Sequence, residues 1–161
     1  MQERYPRTLA YLEQFHDLLV SRAAYQRYQK GGPFHAMYNV GPYTTAPIKV
    51  VWRRMDRRIN AVVVEEIDDP LLGRRPVIPQ ETCVLLACDS ADEAHYICAV
   101  LNGPEVNELV AAYSVRGGKG FGSPGMLNFI ALRRFQPDNP QHVARVLRSR
   151  RAHAEHAASR T

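Results

Sequence analysis

Between residues 8 and 29, Leu9, Leu12, Phe15, Leu19 and Ala23 recur at steps of three and four. That is the period of one helix face, with Glu13, Arg22 and Arg27 on the others, so the spacing predicts a helix over 8–29. Gly31-Gly32-Pro33 ends it. The following PFHAMYNVGPYTTAP is aromatic but broken by Gly41, Pro42 and Pro47, and reads as an irregular loop pinned by Phe34, Tyr38 and Tyr43. Two β-branched runs, IKVVWRR (48–54) and INAVVVEE (59–66), flank MDRR and predict a hairpin. DDPLLGRRPVIP reads as a second loop. TCVLLAC (82–88), continuously apolar, reads as a buried strand.

The pattern then turns helical. Ser90-Ala-Asp-Glu93 is a capping box that opens a helix through Tyr96, Ile97, Val100 and Leu101. Asn102-Gly103-Pro104 closes it, and Pro104 begins another helix reaching about Tyr113. A glycine-rich segment follows, then the apolar MLNFIAL, a QPDNP turn at 136–140, and a basic helix, VARVLRSRRAHAEH. The end of the chain, 156–161, is expected to fray. The expected architecture is α/β of mixed order in a single domain over 1–161: a long N-terminal helix, a small mixed sheet, central helices and long loops. Loops of this length inside a compact domain tend to be functional.

Composition alters this picture little. With 161 residues, the chain can bury one core, and 45% hydrophobic with 23% charged residues is ordinary for a globular protein. No apolar run approaches the roughly 20 residues of a membrane span, and MQERYPRT lacks an apolar signal core, so the expectation is a cytoplasmic protein without a membrane partner. Cys83, Cys88 and Cys98 form no CxxC pair. They lie in strand-like and helical apolar patterns, which favours buried reduced thiols over a zinc site built with His95.

Charge adds more. The net charge is +5, and 18 of 21 basic residues are arginine, whose planar fork suits phosphates and guanine edges. Lys49, Arg53, Arg54, Arg57 and Arg58 cluster on the expected hairpin beside Trp52, with Arg74-Arg75 and Arg133-Arg134 elsewhere. Basic residues interleaved with aromatics on hairpins and loops fit groove and phosphate contact. The competing reading is a solvated face whose charges pair with Glu65, Glu66, Asp68 and Asp69. Arg145, Arg148, Arg150 and Arg151 read as the wet face of the terminal helix.

Catalytic groupings are scarce. Ser114 and Ser123 lack a Gly-x-Ser-x-Gly context, the four carboxylates at 65–69 read as a solvated acidic turn, and His95 and His142 read as structural or exposed. RGGKGFGSPG (116–125) holds Gly120-x-Gly122-x-x-Gly125, the spacing of a dinucleotide-binding turn. Its lead-in, NELVAAYSV, is helical rather than a strand, and no second βα half follows. With Arg116 and Lys119 beside clustered glycine N–H groups, a loop that meets a polyanion is favoured over a cofactor pocket, and a plain surface loop remains the alternative.

Four stretches, in order, carry a family resemblance: YLEQFHDLLVSRAAYQRY, PFHAMYNVGPYTTAPIKVVWRRM, VIPQETCVLLACDSADEAHYICAVLNGPEV and GKGFGSPGMLNFIALRRFQPDNPQHVARV. Together they resemble the C-terminal specificity (target-recognition) domain of adenine-specific DNA methyltransferases of the TaqI and type IIG restriction–modification kind. Tyr43, Thr44, Ala46, Pro47, Lys49, Val50 and Trp52 match one motif, with Thr45 and Ile48 departing from its aromatics. Glu93, Ala94, Tyr96, Ala99, Leu101 and Asn102 match a second, with Gly103 in place of Ser. Gly118, Gly120, Phe121, Gly122, Pro124, Leu127, Ile130, Phe135, Pro137, Asn139, Pro140 and His142 match the third.

The resemblance implies a domain that reads duplex DNA while a separate domain or subunit flips and methylates the adenine with S-adenosylmethionine. The chain contains no Pro-Pro, so the catalytic (Asn/Asp)-Pro-Pro-(Tyr/Phe) motif is not within it. The expectation is therefore a recognition domain with no cofactor, no metal and no catalysis of its own, serving restriction–modification or phage defence in a bacterial or archaeal cell. The expected DNA-contact residues are Lys49, Trp52, Arg53, Arg54, Arg57, Arg116, Lys119 and Tyr43. A protein-interaction module docking onto a methyltransferase or nuclease subunit is the alternative, and a small nucleotide-binding enzyme a further one.

Overall fold

A computed structural model describes residues 1–113 and 124–159 and divides the chain into two compact units, Met1–Gly41 and Pro42–Thr161. Among the described residues these units hold six α-helices and two small antiparallel sheets, a mixed α/β fold.

In the first unit the expected 8–29 helix is three short ones, α1 (Pro6–Glu13), α2 (His16–Ser21) and α3 (Ala23–Tyr28). The apolar period survives both breaks, which is why spacing alone read one helix. At Arg22 the backbone is extended (φ −55°, ψ 132°). Its Nε–H then donates to the Leu19 carbonyl at 2.7 Å, the acceptor that a continuous helix would give to the Ala23 N–H. Its Nη2 donates to the Phe34 and Ala36 carbonyls at 3.1 and 2.8 Å, tying the loop to the break. Gly31, at φ +90°, turns the chain as expected, and the Tyr25 hydroxyl donates to the Gly32 carbonyl at 2.7 Å. Tyr38, expected to pin the loop, stacks on Tyr28 with centroids 4.2 Å apart.

The second unit is built on β1 (Lys49–Arg53), β2 (Val62–Val64), β3 (Ile67–Asp69), β4 (Gly73–Arg75) and β5 (Cys83–Ala87). The expected hairpin forms, with Lys49 opposite Val64 and Val51 opposite Val62. β5 pairs antiparallel along the other edge of β1, so the order is β2-β1-β5. The segment read as a plain loop, 68–79, instead holds all but the first residue of a second hairpin in which β3 pairs with β4. The Asp69 carboxylate accepts the Leu71 and Leu72 N–H groups at 2.8 Å, and Gly73 takes φ +69°. The two strands are short and polar with no alternation, so pattern gave them no signal.

Helices α4 (Ala91–Leu101), α5 (Pro104–Tyr113) and α6 (Pro140–Ala158) complete the unit. The capping box forms: the Ser90 hydroxyl accepts the Glu93 N–H at 3.2 Å, and Glu93 reaches back to the Asp89 N–H at 3.1 Å. Asn139 caps α6 with Pro140 in its first turn. That helix continues through Ala158, where fraying was expected from 156; residues 160–161 lie outside the described residues. α4 packs on β1 and β2 on one side and on α6 on the other. The resulting core contains Val50, Trp52, Ile59, Ala61, Val84, Tyr96, Leu101, Val106, Val110 and Val146.

Two asparagines fasten the irregular chain between the hairpin turn and β2. The Asn102 amide accepts the Ala61 N–H and donates to the Ala61 carbonyl, both at 2.8 Å. Asn107 accepts the Ile59 N–H at 2.7 Å and donates to the Gly103 carbonyl at 3.1 Å. Without the Asn102 amide, the buried Ala61 N–H has no acceptor, while its carbonyl keeps the Cys98 thiol as donor. Asn102→Ala is therefore expected to cost about 2 kcal/mol in urea unfolding, the penalty of one buried unpaired amide plus a lost bond.

Candidate nucleic-acid interface

The basic hairpin begins where β1 leaves the sheet. Val50 and Trp52 lie on the core side, and Arg53 is the first exposed residue of the strand. The Arg54 N–H still donates to the Thr82 carbonyl at 2.9 Å, so the turn starts from a bonded base. Inside it the Asp56 carboxylate accepts the Arg57 N–H at 2.7 Å and the Asn60 side-chain N–H at 3.2 Å. Those two hydrogen bonds, with the nearby Arg53 charge as a smaller contribution, hold the Asp56 carboxyl below the usual aspartate range. Asp56 thus shapes the turn by bonding its backbone, and the chain resumes at Ile59, which is buried.

The turn presents Arg53, Arg57 and Arg58 to solvent. The competing sequence reading required these charges to pair with the acidic run at 65–69. That reading holds for Arg74, which pairs with Glu66 of the run at 2.7 Å. Among the described residues, neither Arg53, Arg57 nor Arg58 forms an ion pair. Arg54 is half-buried, and its Nε is enclosed without a partner among the described residues.

Two residues expected at a DNA surface are interior. Lys49 is 0% exposed, and its ammonium donates to the Ala46 carbonyl and, at 2.9 Å, to the Val77 carbonyl. Burial pulls its pKa down from the usual lysine value, with the Glu66 charge acting in the opposite direction. This lysine ties the loop after β4 to the start of β1. Trp52, 1% exposed, is a core residue. Basic and aromatic residue types at a strand end gave the sequence reading no means of telling an inward register from an outward one. Tyr43, 39% exposed, sits in a short 3-10 turn (Pro42–Thr44) beside β5. Arg116 and Lys119, with the glycine segment between them, lie outside the described residues.

The remaining candidates for chemistry are occupied structurally. His95 is buried against α6, its Nδ1 3.0 Å from the Ser149 hydroxyl, and the Cys98 thiol donates to the Ala61 carbonyl. Burial raises the Cys98 thiol pKa and, with Glu93 and Asp89 nearby, pushes that of Cys88 up to about 11, so both stay protonated and poorly nucleophilic. His142 is buried too; its Nδ1 accepts the Gln136 N–H at 3.1 Å and its ring lies 4.4 Å from Tyr96. No group of three or more metal-binding side chains occurs among the described residues.

Sequence reading missed one surface. A groove of about 710 Å³ runs between α4, α5, the 3-10 turn at Pro124–Phe129 and α6. Arg133, from the basic pair after the glycine segment, lines it with Arg145 and Arg148, which the sequence placed on the wet face of the terminal helix. Only the packing of α6 across α4 brings them around one hollow. Comparison of the chain with family models, with curated proteins and with solved structures finds no match.

Proposed function

We propose that the chain is a DNA-specificity domain that binds duplex DNA and serves a separate adenine-methyltransferase catalytic domain or subunit. The motif resemblance supplies the family, and one structural observation supports the chemistry. Arg53, Arg57 and Arg58 are exposed on a turn built from bonded backbone, and no carboxylate among the described residues pairs with them. Three guanidinium groups against the single Asp56 carboxylate on an exposed turn suit phosphate oxygens, whose condensed counterions are released on contact. In this reading recognition is the chain's own contribution, and methyl transfer from S-adenosylmethionine belongs to the partner. Among the described residues no helix is long and apolar enough to cross a membrane, and three free cysteines fit a reducing cytoplasm.

The test is duplex-DNA affinity across a salt series. The wild type is expected to lose affinity linearly in log[salt], and Arg57→Ala/Arg58→Ala to lower that slope by about 2, one unit per phosphate contact removed. Affinity without inverse salt dependence, or an unchanged slope in the double variant, would refute the assignment.

A further inference from the structure

The groove between α5, α6 and the 3-10 turn has a composition unlike that of the basic hairpin. Val106, Leu109 and Phe129 line it, and Phe129 is 56% exposed, an aromatic ring presented to solvent. That ring is held in place: it stacks on Tyr113 with centroids 4.7 Å apart and planes within 9°. Arg133, Arg145 and Arg148 are exposed around the same hollow, and Arg145 and Arg148 stand one helical turn apart on α6. The neighbouring arginines of α6 are spoken for, Arg150 by Asp92 and Arg151 by Glu155, both at 2.8 Å. Arg133, Arg145 and Arg148 form no ion pair among the described residues, and Glu105 is the one carboxylate lining the groove.

Three guanidinium groups against one carboxylate select an anion. The apolar lining and the ordered, exposed ring select one that also carries a flat apolar face. A duplex shows phosphates outward and keeps its bases stacked, so it would leave Phe129 and the apolar wall unused. An unpaired nucleotide strand satisfies both halves of the site, with phosphates on the arginines and a base against the ring. We propose that this groove is a binding site for single-stranded nucleic acid, separate from the basic hairpin and independent of the duplex-binding reading.

The experiment measures fluorescence anisotropy of a labelled ten-nucleotide oligothymidylate, and of a duplex of equal length, against the full chain. Four proteins are compared: wild type, Arg145→Ala/Arg148→Ala, Phe129→Leu and Arg57→Ala/Arg58→Ala. All five side chains are exposed, and circular dichroism verifies the fold of each variant. Oligothymidylate binding is expected to weaken at least tenfold in the α6 double variant and several-fold in Phe129→Leu. It should stay within twofold of wild type in the hairpin variant, which is instead expected to lose duplex affinity. Absence of oligothymidylate binding, or equal weakening by the hairpin and α6 variants, would overturn the proposal. So would competition by poly-L-glutamate at equal charge concentration, which would mark the groove as a site for an acidic protein. Loss of duplex binding alone in the hairpin variant would leave this proposal standing, and absence of duplex binding would refute only the earlier one.

Discussion

Trp52→Ala is expected to destabilise the protein by about 3–5 kcal/mol, a large part of the total stability of a domain this size. Trp52 is the largest fully buried side chain, placed on β1 opposite Val84 of β5 and in the core cluster that holds Tyr96 and Leu101. Its removal leaves a cavity that β1, held along β5 and paired with β2 up to the preceding residue, cannot collapse to fill. Urea unfolding followed by far-ultraviolet circular dichroism reads the effect, since the variant lacks the only tryptophan. A loss below about 1 kcal/mol would contradict the burial. Trp52→Phe keeps an aromatic filling of the core and is expected to lose less stability than Trp52→Ala in the same urea series.

Acidification from pH 6.5 to pH 4 is expected to remove about 3 kcal/mol of stability through His95 alone. Burial, then the neighbouring His153 and Arg150, pull the His95 pKa from 6.5 down to about 4, with Asp92 opposing. Because the folded-state value is the lower one, the unfolded chain binds the proton more readily between these limits. Stability is complete above pH 6.5, falls as pH drops, and levels once pH passes below about 4. The surroundings leave no easy accommodation for the charge. His153 lies with its ring centroid 5.0 Å away, its Nε2 accepting the Val63 N–H at 3.0 Å and its Nδ1 2.7 Å from the Ser149 carbonyl. Thermal melts across this range check the prediction. The slope against pH should flatten in His95→Gln, whatever that variant's absolute stability, and an unchanged slope would remove His95 as its source.

His95 and the exposed arginines of the hairpin turn belong to different parts of the second unit, and this separates the two kinds of measurement. The His95–Ser149–His153 contacts join α4, α6 and β2, while Arg57 and Arg58 stand on the turn between β1 and β2. Under the proposed duplex-binding reading, a loss of DNA affinity near neutral pH is therefore a statement about the turn. A loss below pH 6 includes the opening of the helix–sheet contact.

Much of the fold was legible from residue order alone, because the signals concerned were local. The hairpin of β1 and β2, strand β5, the capping box of α4, the Pro104 start of α5 and the Asn139-Pro140 start of α6 each rest on neighbours within a few positions. The burial expected for Cys88 and Cys98 follows from the same periodicity. The three-way break of the N-terminal helix was not legible, because Arg22 ends α2 with bonds to residues 12 and 14 positions away. Nor was the β3–β4 hairpin, whose strands carry no alternation.

The basic surface divides in the same way. The sequence by itself determined that a basic turn follows β1, since Arg53, Arg57 and Arg58 crowd a segment too short and polar to be buried. Only tertiary structure decided which neighbouring cations join it. Lys49 is withdrawn inward because the loop after β4 folds over the strand and offers the Val77 carbonyl, a partner 28 residues away. Arg133, Arg145 and Arg148 are gathered because α6 lies across α4. A charge pattern in one dimension carries the number of cations available, but their direction and company depend on backbone acceptors and helix faces that meet only when distant segments pack.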